Sequence, residues 1–335
     1  MKNGAIIGMG AIGPIHAMAL EPRGSLYAIC DNQPERLSRW QPDNSDIKRY
    51  SDFDDVLKDE NIDVIHICTP HYLHTEMAIK ALNAGKDVVL EKPLALNYEE
   101  LDRLLNVARK SNNKVCVMFQ NRTNPATKML KSLLDNGCDL GKLLGISATI
   151  VWCRDKEYYA QDEWRGKIKT EGGGLLINQA IHTLDTLGYL GGKIKKIRGS
   201  VSNKMLEGVI EVEDTADAIM ESESGMRITF YGTNGNTFST PPKIDLQMEK
   251  GLLRYSENRL YRITDNDCQV LIQDNAKNPG KDCWGSGHKI AINEFYEHLE
   301  TGEGTYITIE DAVPAMKTLL AFYESAKTNK EVVVD

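Results

Sequence analysis

The sequence contains no apolar run approaching the roughly 20 residues that a membrane-spanning helix requires. It also has no surplus of basic side chains, because 48 acidic residues outnumber 40 basic ones and the net charge is −8. Nucleic acids and anionic membranes bind to surfaces of positive charge. We therefore expect neither a nucleic acid nor a membrane among the partners of this chain.

The seven cysteines form no C-x-x-C pair, so the spacing that zinc sites and redox motifs use is absent. Cys30, Cys68 and Cys116 lie in or beside apolar segments, where a thiol packs as a small hydrophobic group. No metal site is predicted, and unpaired thiols suit a reducing cytoplasm. Residues 5–20 have the apolar character of a signal peptide, but glycines interrupt them, so we predict a cytoplasmic protein.

At 335 residues the chain is too long for one ordinary hydrophobic core, so two domains are expected. In the first part of the chain, helical patterns alternate with short apolar runs, namely AIIG, LYAIC, DVIHIC, DVVL and VCVMF. Such alternation indicates a parallel sheet with helices on its faces. We predict a Rossmann dinucleotide-binding domain over residues 1–121.

The pattern changes after residue 121. Strand-like segments with alternating polar and apolar residues follow one another over residues 193–272, and helical patterns close the chain near residues 287–300 and 309–328. Alternation with a period of two indicates antiparallel strands with one face in water. We therefore predict an α/β protein whose second domain, residues 122–335, is α+β and built on an open, mainly antiparallel sheet.

A glycine motif follows the first predicted strand and opens a helix. Its glycines have the G-x-G-x-x-G spacing, which permits a tight turn, a close approach of the backbone to a pyrophosphate, and close helix–sheet packing. The amino terminus of the helix then faces the negative charge. The residues predicted to line the pyrophosphate are Gly8, Gly10, Ala11, Ile12 and Gly13.

Asp31 ends the second predicted strand, where a carboxylate accepts hydrogen bonds from the ribose hydroxyls of an adenosine. The same carboxylate would repel a 2′-phosphate, and no basic residue follows at position 32 or 33. The sequence therefore favours NAD over NADP. Arg36 is the residue that argues for NADP, since a cation there is close enough in sequence to bind the phosphate.

The segment CTPHYLH (residues 68–74) ends another strand at the edge of the sheet where cofactors bind. Thr69 and Pro70 are predicted to line the cofactor. His74 begins a helix, and for this residue a contact with the cofactor and a capping or packing role are both open.

The apolar strand DVVL ends abruptly in Glu91, Lys92 and Pro93. Because an unpaired buried charge is costly, such charges either reach solvent or take part in chemistry. At the carboxyl edge of a dinucleotide-binding sheet they lie where the nicotinamide is expected. A lysine there can donate a hydrogen bond to a substrate hydroxyl and stabilise the alkoxide that develops as hydride leaves.

A second polar group lies on a helical pattern that contains three glycines near its start, EGGGLLINQAIHTLDTLGYLGG (residues 171–192). At about 100° per residue, Asn178, His182 and Asp185 share one helical face, opposite an apolar stripe. His182 is suited to act as a general base near neutral pH, and Asn178 to exchange hydrogen bonds with a substrate hydroxyl. For Asp185, orientation of the imidazole and a packing role are equally open.

In their order along the chain, these motifs make the sequence resemble the Gfo/Idh/MocA family, named for glucose–fructose oxidoreductase and inositol dehydrogenase. The motifs are the glycine motif with His16, CTPHYLH, EKP, FQNR (residues 119–122), EWRG (residues 163–166), the GGG…H…D helix and YESAK. The resemblance spans nearly the whole chain. It implies NAD(P)-dependent oxidation or reduction of sugars, polyols and related compounds, in a homodimer or homotetramer formed through the carboxyl-terminal sheet.

The resemblance also implies roles for individual residues. Lys92 matches the family's catalytic lysine, followed by a cis bond to Pro93, and His182 matches its catalytic histidine. Asn178 stands where inositol dehydrogenases carry an aspartate, which points instead to aldose and amino- or nucleotide-sugar dehydrogenases. Other residues implied near the cofactor or the substrate are Glu91, Gln120, Asn121, Trp164 and Arg165.

Two other activities occur among proteins that this sequence resembles. One is a glycosidase that uses bound NAD for transient oxidation, elimination and re-reduction. The other is a non-enzymatic NAD-binding regulator, which usually lacks the lysine or the histidine that this chain retains. The sequence therefore favours a dehydrogenase that moves hydride between the nicotinamide and a carbinol carbon of a sugar, polyol or nucleotide sugar.

Overall fold

The computed structural model describes residues 1–41, 46–276 and 285–334. By internal contacts the chain divides into two compact units. The first combines Met1–Phe119 with His288–Ala312, and the second combines Gln120–Gly287 with Val313–Asp335. Within the described residues, no helix has both the length and the apolar character needed to cross a membrane.

The first unit contains a six-stranded parallel sheet, as the alternation of strands and helices predicts. Its strands are β1 (Gly4–Ile7), β2 (Leu26–Cys30), β3 (Lys48–Tyr50), β4 (Val64–Ile67), β5 (Asp87–Leu90) and β6 (Val115–Val117). They lie in the order β3-β2-β1-β4-β5-β6, and every pair is parallel. The order reverses beside β1, which is the position where α/β sheets of this kind bind their ligands.

The helices that connect these strands are α1 (Gly13–Leu20), α2 (Pro34–Arg39), α3 (Phe53–Lys58), α4 (His74–Asn83) and α5 (Tyr98–Lys110). Asn97 and Glu100 form a capping box at the start of α5. Asn97 Oδ1 accepts a hydrogen bond of 2.9 Å from the Glu100 amide, and Asn97 Nδ2 donates one of 3.1 Å to Glu100 Oε1. One strand, β3, was not predicted, because its sequence KRY is polar and lies at the exposed edge of the sheet.

A helix near the carboxyl terminus, α10 (Gly287–Thr301), belongs almost entirely to the first unit. Phe295 and Tyr296 of this helix are fully buried and pack in the same hydrophobic cluster as Ile6 of β1. The domain boundary expected after residue 121 stays a prediction. The contact-based units differ from it at this helix, because an apolar face joins the core against which it packs, wherever it lies in sequence.

The second unit contains a nine-stranded sheet. Its strands are β7 (Leu143–Val151), β8 (Ile194–Ser202), β9 (Thr215–Ser222), β10 (Arg227–Thr233), β11 (Lys243–Met248), β12 (Gly251–Ser256), β13 (Arg259–Thr264), β14 (Asp267–Gln273) and β15 (Val332–Val333). Their order is β14-β13-β12-β11-β7-β10-β9-β8-β15. The β7–β10 pair is parallel and the other pairs are antiparallel, so the predicted fold class is confirmed.

One face of this sheet is buried and the other is open. Along β9, Ala218 and Met220 are buried while the intervening Ile219 is 50% exposed, and Tyr231 on β10 is 44% exposed. The helices of the unit are α6 (Pro125–Asn136), α7 (Lys156–Ala160), α8 (Ile168–Glu171), α9 (Ile181–Gly191) and α11 (Ile309–Thr328). The bounds of α11 agree with those read from the sequence.

Candidate active site

Each glycine of the motif after β1 is required for a different reason. Gly8 has φ +93°, and a Cβ on it would lie 2.6 Å from the Cys68 carbonyl oxygen. A Cβ on Gly13 would lie 2.1 Å from the carbonyl oxygen of Gly8, so the turn and the helix are held in close contact. A Cβ on Gly10 would meet only Arg36 Nη1, at 3.6 Å. The fold itself leaves room at Gly10, and close approach of a ligand is the reason that fits a glycine there.

Ala11 and Ile12 lead into α1, which begins at Gly13. Among the described residues, no side chain caps this helix, and its first turn contains no acidic residue. Pro14 has no N–H, and the Ile15 and His16 amides donate to the Ile12 carbonyl, so an anion here would be held by the amides of the turn before Pro14 and favoured by the helix dipole. This is the environment that the pyrophosphate of a dinucleotide requires.

Asp31 lies directly beside the glycine turn and is held in place by backbone groups. Its carboxylate accepts hydrogen bonds from the Met9 amide, at 2.8 Å, and from the Gln33 amide, at 2.9 Å. Arg36 Nη1 lies 3.9 Å from Asp31 Oδ2. Arg36, the residue that favours NADP, thus lies close to the carboxylate of Asp31, the residue that favours NAD. The Asp31 carboxylate compensates part of the charge of Arg36.

Glu91, at the end of β5, belongs to a buried chain of hydrogen bonds. Its Oε1 lies 3.1 Å from His16 Nε2, and His16 Nδ1 lies 3.0 Å from His66 Nδ1. His66 Nε2 in turn lies 2.9 Å from the hydroxyl of Tyr296. The Glu91 carboxylate does not reach solvent, because it is buried and paired with His16 inside the first unit. Its contact with the cofactor stays a prediction.

The chain of hydrogen bonds sets the charge of its members. Burial alone would raise the pKa of Glu91, but the hydrogen bond and charge of His16 lower it to about 2. Burial, followed by the proximity of His16, lowers the pKa of His66 well below its ordinary value. Glu91 is therefore ionised and His66 neutral at neutral pH. Sequence reasoning noted His16 as part of a motif but missed His66 and Tyr296, which carry no local signal.

The ion pair between Glu91 and His16 predicts that the stability of the protein depends on pH. The pKa of Glu91, about 2, lies below the ordinary value of 4.5, so its contribution is fully present above pH 4.5 and is lost as the pH falls through 2. We expect Glu91→Gln to lower the free energy of unfolding at pH 7 by about 3 kcal/mol. Urea unfolding followed by circular dichroism checks this, with Glu60→Gln at an exposed position as control. If Glu91→Gln left the pH dependence of stability in this acidic range unchanged, the contribution assigned to Glu91 would be refuted.

Lys92 follows Glu91 and is half-buried, and its peptide bond to Pro93 is cis, as the resemblance implies. The turn that carries it is tied to the end of β4 by His74. The two ring nitrogens of His74 lie 2.7 Å from the Pro93 carbonyl oxygen and 2.8 Å from that of Thr69. These contacts support the packing role for His74, and its contact with the cofactor stays a prediction.

Thr69 and Pro70 lie where β4 ends, at the same edge of the sheet as the glycine turn and Lys92. The hydroxyl of Thr69 is 3.5 Å from the sulfur of Met77, and Pro70 precedes a 3₁₀ turn, His71–Leu73. The first unit thus brings the predicted cofactor residues of three strand ends to one edge.

In the second unit, the predicted helix of polar residues begins with a π-helical turn, Leu176–Ala180, before α9. Uniform spacing of 100° per residue was therefore wrong for this first turn, since a π turn contains more residues than an α turn. Asn178 lies within the π turn and His182 near the start of α9. Turns of this kind are frequent at functional sites.

Asn178 donates a hydrogen bond from its Nδ2 to Glu171 Oε1, and Glu171 Oε2 accepts one from the Gly166 amide. Burial raises the pKa of Glu171 to about 7, although these hydrogen bonds oppose the change. Glu171 thus fixes the orientation of the Asn178 amide, and the contact of Asn178 with a substrate hydroxyl stays a prediction. Glu171 was not among the predicted residues.

Asp185 is buried and pairs with Arg122 of the FQNR motif. Arg122 Nε lies 2.8 Å from Asp185 Oδ2, and Arg122 Nη2 lies 2.5 Å from Oδ1. The guanidinium also stacks on the ring of Tyr189, 5.0 Å from its centroid. This bidentate pair supports the packing role for Asp185, and its orientation of His182 stays a prediction.

The amino terminus of the polar helix is held by a residue that sequence reasoning missed. The buried carboxylate of Glu213 accepts hydrogen bonds of 2.9 Å from the amides of Gly174 and Leu176, and another of 2.9 Å from the Tyr323 hydroxyl. A Cβ on Gly174 would lie 2.0 Å from the Glu213 carbonyl oxygen. The glycines before the helix and the tyrosine of YESAK thus serve one purpose, which is to fix where the helix begins.

A small pocket in the second unit brings several predicted residues together. His182, Gln120 and Asn121 all line it, although they come from two distant segments of the sequence. Trp152, after β7, and Gln179, in the π turn, line it too. His182 is half-buried at this position. Deprotonation of a bound hydroxyl requires a general base within hydrogen-bond reach, which His182 can supply. The amide side chains beside it can orient the hydroxyl by hydrogen bonding.

Trp164 and Arg165, of the EWRG motif, form part of a stacked cluster. Arg165 lies 4.6 Å from the ring centroid of Trp164 and 4.8 Å from that of Tyr158. It donates a hydrogen bond of 2.7 Å to the Tyr158 hydroxyl and pairs with Asp162 at 3.3 Å. Its charge is thus compensated within the second unit.

Comparison with known proteins accounts for the combination of these features. Residues 2–119 match the model of an oxidoreductase family with an NAD-binding Rossmann fold, and residues 127–254 match the GFO/IDH/MocA carboxyl-terminal domain. The chain belongs to the Gfo/Idh/MocA oxidoreductase family. Its α/β fold class, its NAD-binding Rossmann domain and its place among oxidoreductases, all predicted from the sequence, are confirmed.

Several known dehydrogenases are similar to the chain over almost its whole length. The scyllo-inositol 2-dehydrogenase (NAD(+)) of Bacillus subtilis (strain 168) is 30% identical over 355 residues, covering 99% of this chain and 96% of the relative. The WlbA dehydrogenase of Chromobacterium violaceum, solved with NADH and UDP-GlcNAcA, is 25% identical with a TM-score of 0.83, covering 100% of this chain and 96% of that one. A levoglucosan dehydrogenase, solved with NADH and levoglucosan, shares the fold at 21% identity, with a TM-score of 0.87 over 99% of each chain.

Proposed function

We propose that this chain is an NAD-dependent dehydrogenase that moves hydride between the nicotinamide and a carbinol carbon of a sugar, polyol or nucleotide sugar. The observation that carries the proposal is the pocket in which His182 lies beside Gln120 and Asn121. The similar dehydrogenases act on or bind compounds of this class by their names, which favours oxidoreduction over the glycosidase and regulator alternatives.

The residues of the first unit fit the cofactor. Room at Gly10, an uncapped α1 and a fixed Asp31 carboxylate are the features that a dinucleotide needs. When bound, NAD supplies the hydride acceptor. In the proposed reaction His182 takes the hydroxyl proton, and Lys92 donates a hydrogen bond to the substrate oxygen as negative charge develops there.

A screen of NAD and NADP reduction over a panel of polyols, aldoses and nucleotide sugars tests the proposal. We expect NADH formation with at least one compound. Absence of turnover with either cofactor across the whole panel would count against dehydrogenase activity. Release of sugar from a glycoside without net NADH would point to the glycosidase alternative.

The choice between NAD and NADP rests on Asp31. We expect NAD to bind at least about tenfold more tightly than NADP, a difference of about 1.4 kcal/mol, because the Asp31 carboxylate repels a 2′-phosphate. Asp31→Ala is expected to erode this preference, whereas Asp55→Ala, at an exposed position of α3, is expected to preserve it. Calorimetric titration of both cofactors measures the ratio. Equal or tighter binding of NADP by the parent protein would contradict the assignment.

We also propose that the chain forms a homodimer or homotetramer through the open face of the second sheet. Ile219 and Tyr231 on that face are half-exposed, and an apolar surface of this kind is favourably buried against a second copy. Multi-angle light scattering at micromolar concentration is expected to show an oligomer that Ile219→Lys weakens. If the parent protein is a monomer under these conditions, the proposed assembly is ruled out.

A cytoplasmic location is part of the same proposal. Cys30, Cys68 and Cys116 are buried as free thiols, which suits a reducing compartment. Fractionation of cells that express the chain, followed by immunodetection, tests the location. Recovery outside the cytoplasmic fraction would contradict it.

A further inference from the structure

Arg154, just after β7, is a charged side chain that the proposed hydride transfer does not use. Its guanidinium lies between two aromatic rings, 4.9 Å from the centroid of Trp152 and 4.8 Å from that of Tyr158. Backbone groups fix its position, since its amide donates to the Asn234 carbonyl at 2.8 Å and its Nη1 to the Cys153 carbonyl at 2.8 Å.

The charge of Arg154 is not compensated. Among the described residues, no carboxylate lies within ion-pair distance of its guanidinium, and its buried Nε has no hydrogen-bond partner. Asp155, the next residue, instead accepts a hydrogen bond of 2.9 Å from the Tyr158 amide. Asp162 is paired with Arg165 at 3.3 Å. Of the two guanidinium groups in the cluster, Arg165 is ion-paired with Asp162, whereas the Asp155 carboxylate is engaged by a backbone amide and forms no ion pair with Arg154.

The two rings that hold Arg154 also connect it to the candidate pocket. Trp152 lines the pocket with His182, and its indole is fixed by a hydrogen bond of 3.1 Å to the Thr240 carbonyl. The Tyr158 hydroxyl is 3.4 Å from Nε2 of Gln179, which lines the same pocket. Trp152 and Tyr158 thus connect Arg154 to the pocket, although Arg154 itself is not among the residues that line it. An anionic group of the substrate meets the guanidinium only where the substrate extends past the Trp152 ring.

A guanidinium held in this way is suited to an oxyanion. If the side chain served only to pack between the rings, a buried donor without a partner would be an avoidable cost. Arginine binds carboxylate and phosphate groups with paired, charge-assisted hydrogen bonds, and aromatic stacking leaves the edge of its plane available for them. We propose that the substrate of this enzyme carries an oxyanion, a carboxylate or a phosphate, and that Arg154 binds it. This inference rests on the proposed dehydrogenase function and narrows its substrate class to acidic or phosphorylated sugars.

The test compares matched neutral and anionic compounds in two assays. The compounds are glucose, glucuronate and glucose 6-phosphate, and the proteins are the parent, Arg154→Met and Arg154→Lys. Binding to the NADH-loaded protein is measured by calorimetry, and turnover by NADH formation. We expect an anionic compound to bind at least about tenfold more tightly than its neutral partner, an advantage that Arg154→Met reduces about 10- to 100-fold. Arg154→Lys is expected to restore only part of it, since a point charge lacks the paired geometry.

Arg109→Met is the matched control, because Arg109 is an exposed arginine that pairs with Glu310 on the first unit. It is expected to leave the preference unchanged. The advantage of glucuronate over glucose identifies the carboxylate, and that of glucose 6-phosphate identifies the phosphate. If no anionic compound binds better than its neutral partner, or if Arg154→Met preserves the advantage, the inference is overturned. Turnover of neutral compounds alone would overturn the oxyanion inference and leave the dehydrogenase function intact. Binding of an anionic compound that depends on Arg154 but gives no NADH would support the oxyanion inference and count against the dehydrogenase function.

Discussion

Lys92→Met is expected to lower turnover roughly a hundredfold to a thousandfold, about 3–4 kcal/mol, in NADH formation with a substrate found in the panel. The reason is that the lysine ammonium is proposed to stabilise the negative charge developing on the substrate oxygen, as a donor in an oxyanion site does. Methionine keeps the length of the side chain and removes the charge. The affinity for NAD is expected to change little, because the pyrophosphate is assigned to the turn at Gly8 and Gly13.

The control for this experiment is Lys110→Met, at the exposed end of α5, which is expected to leave turnover within a few-fold of the parent. Because Glu91 and His74 fix the turn around Lys92 through its neighbours, loss of the ammonium is not expected to unfold it. Near-normal turnover of Lys92→Met would mean that the chemistry does not take place at this residue.

His182→Ala is expected to lower turnover by about a hundredfold to ten-thousandfold, the contribution of a positioned general base. Raising the pH is expected to restore part of the loss, since hydroxide can take the substrate proton when the imidazole is absent. The pH profile of turnover for the parent and the variant measures this. His298→Ala, on α10, is the control, because that ring packs at an angle against Tyr306 and has no proposed role in the reaction.

The double variant of Lys92 and His182 distinguishes a shared role from two separate ones. If both residues act on the same substrate hydroxyl, as proposed, the two losses are expected to be less than additive. Full additivity, together with no recovery of His182→Ala at high pH, would place the two residues in different steps.

Local signals in the sequence were sufficient for much of the fold. The apolar runs that became β2 and β5, the capping box at Asn97 and the bounds of α11 follow from patterns within a few residues. The glycine motif was equally readable, because backbone geometry and the approach of a phosphate impose glycine at fixed spacing. The polar edge strand β3 had no such signal, and it was missed.

The sequence by itself therefore determined the order of the elements, the Rossmann architecture and the candidate residues Lys92, His182 and Asp31, since each depends on a short motif next to a strand or helix. Tertiary structure alone decided how the buried carboxylates near these residues are paired. Glu91 became one end of a buried chain that reaches Tyr296 of α10, and Glu213 became the cap of the polar helix. These partners are 37 to 230 residues apart in sequence. No periodicity or motif encodes such pairs, because the cost of burying a charge is offset only by whatever group the folded chain brings beside it.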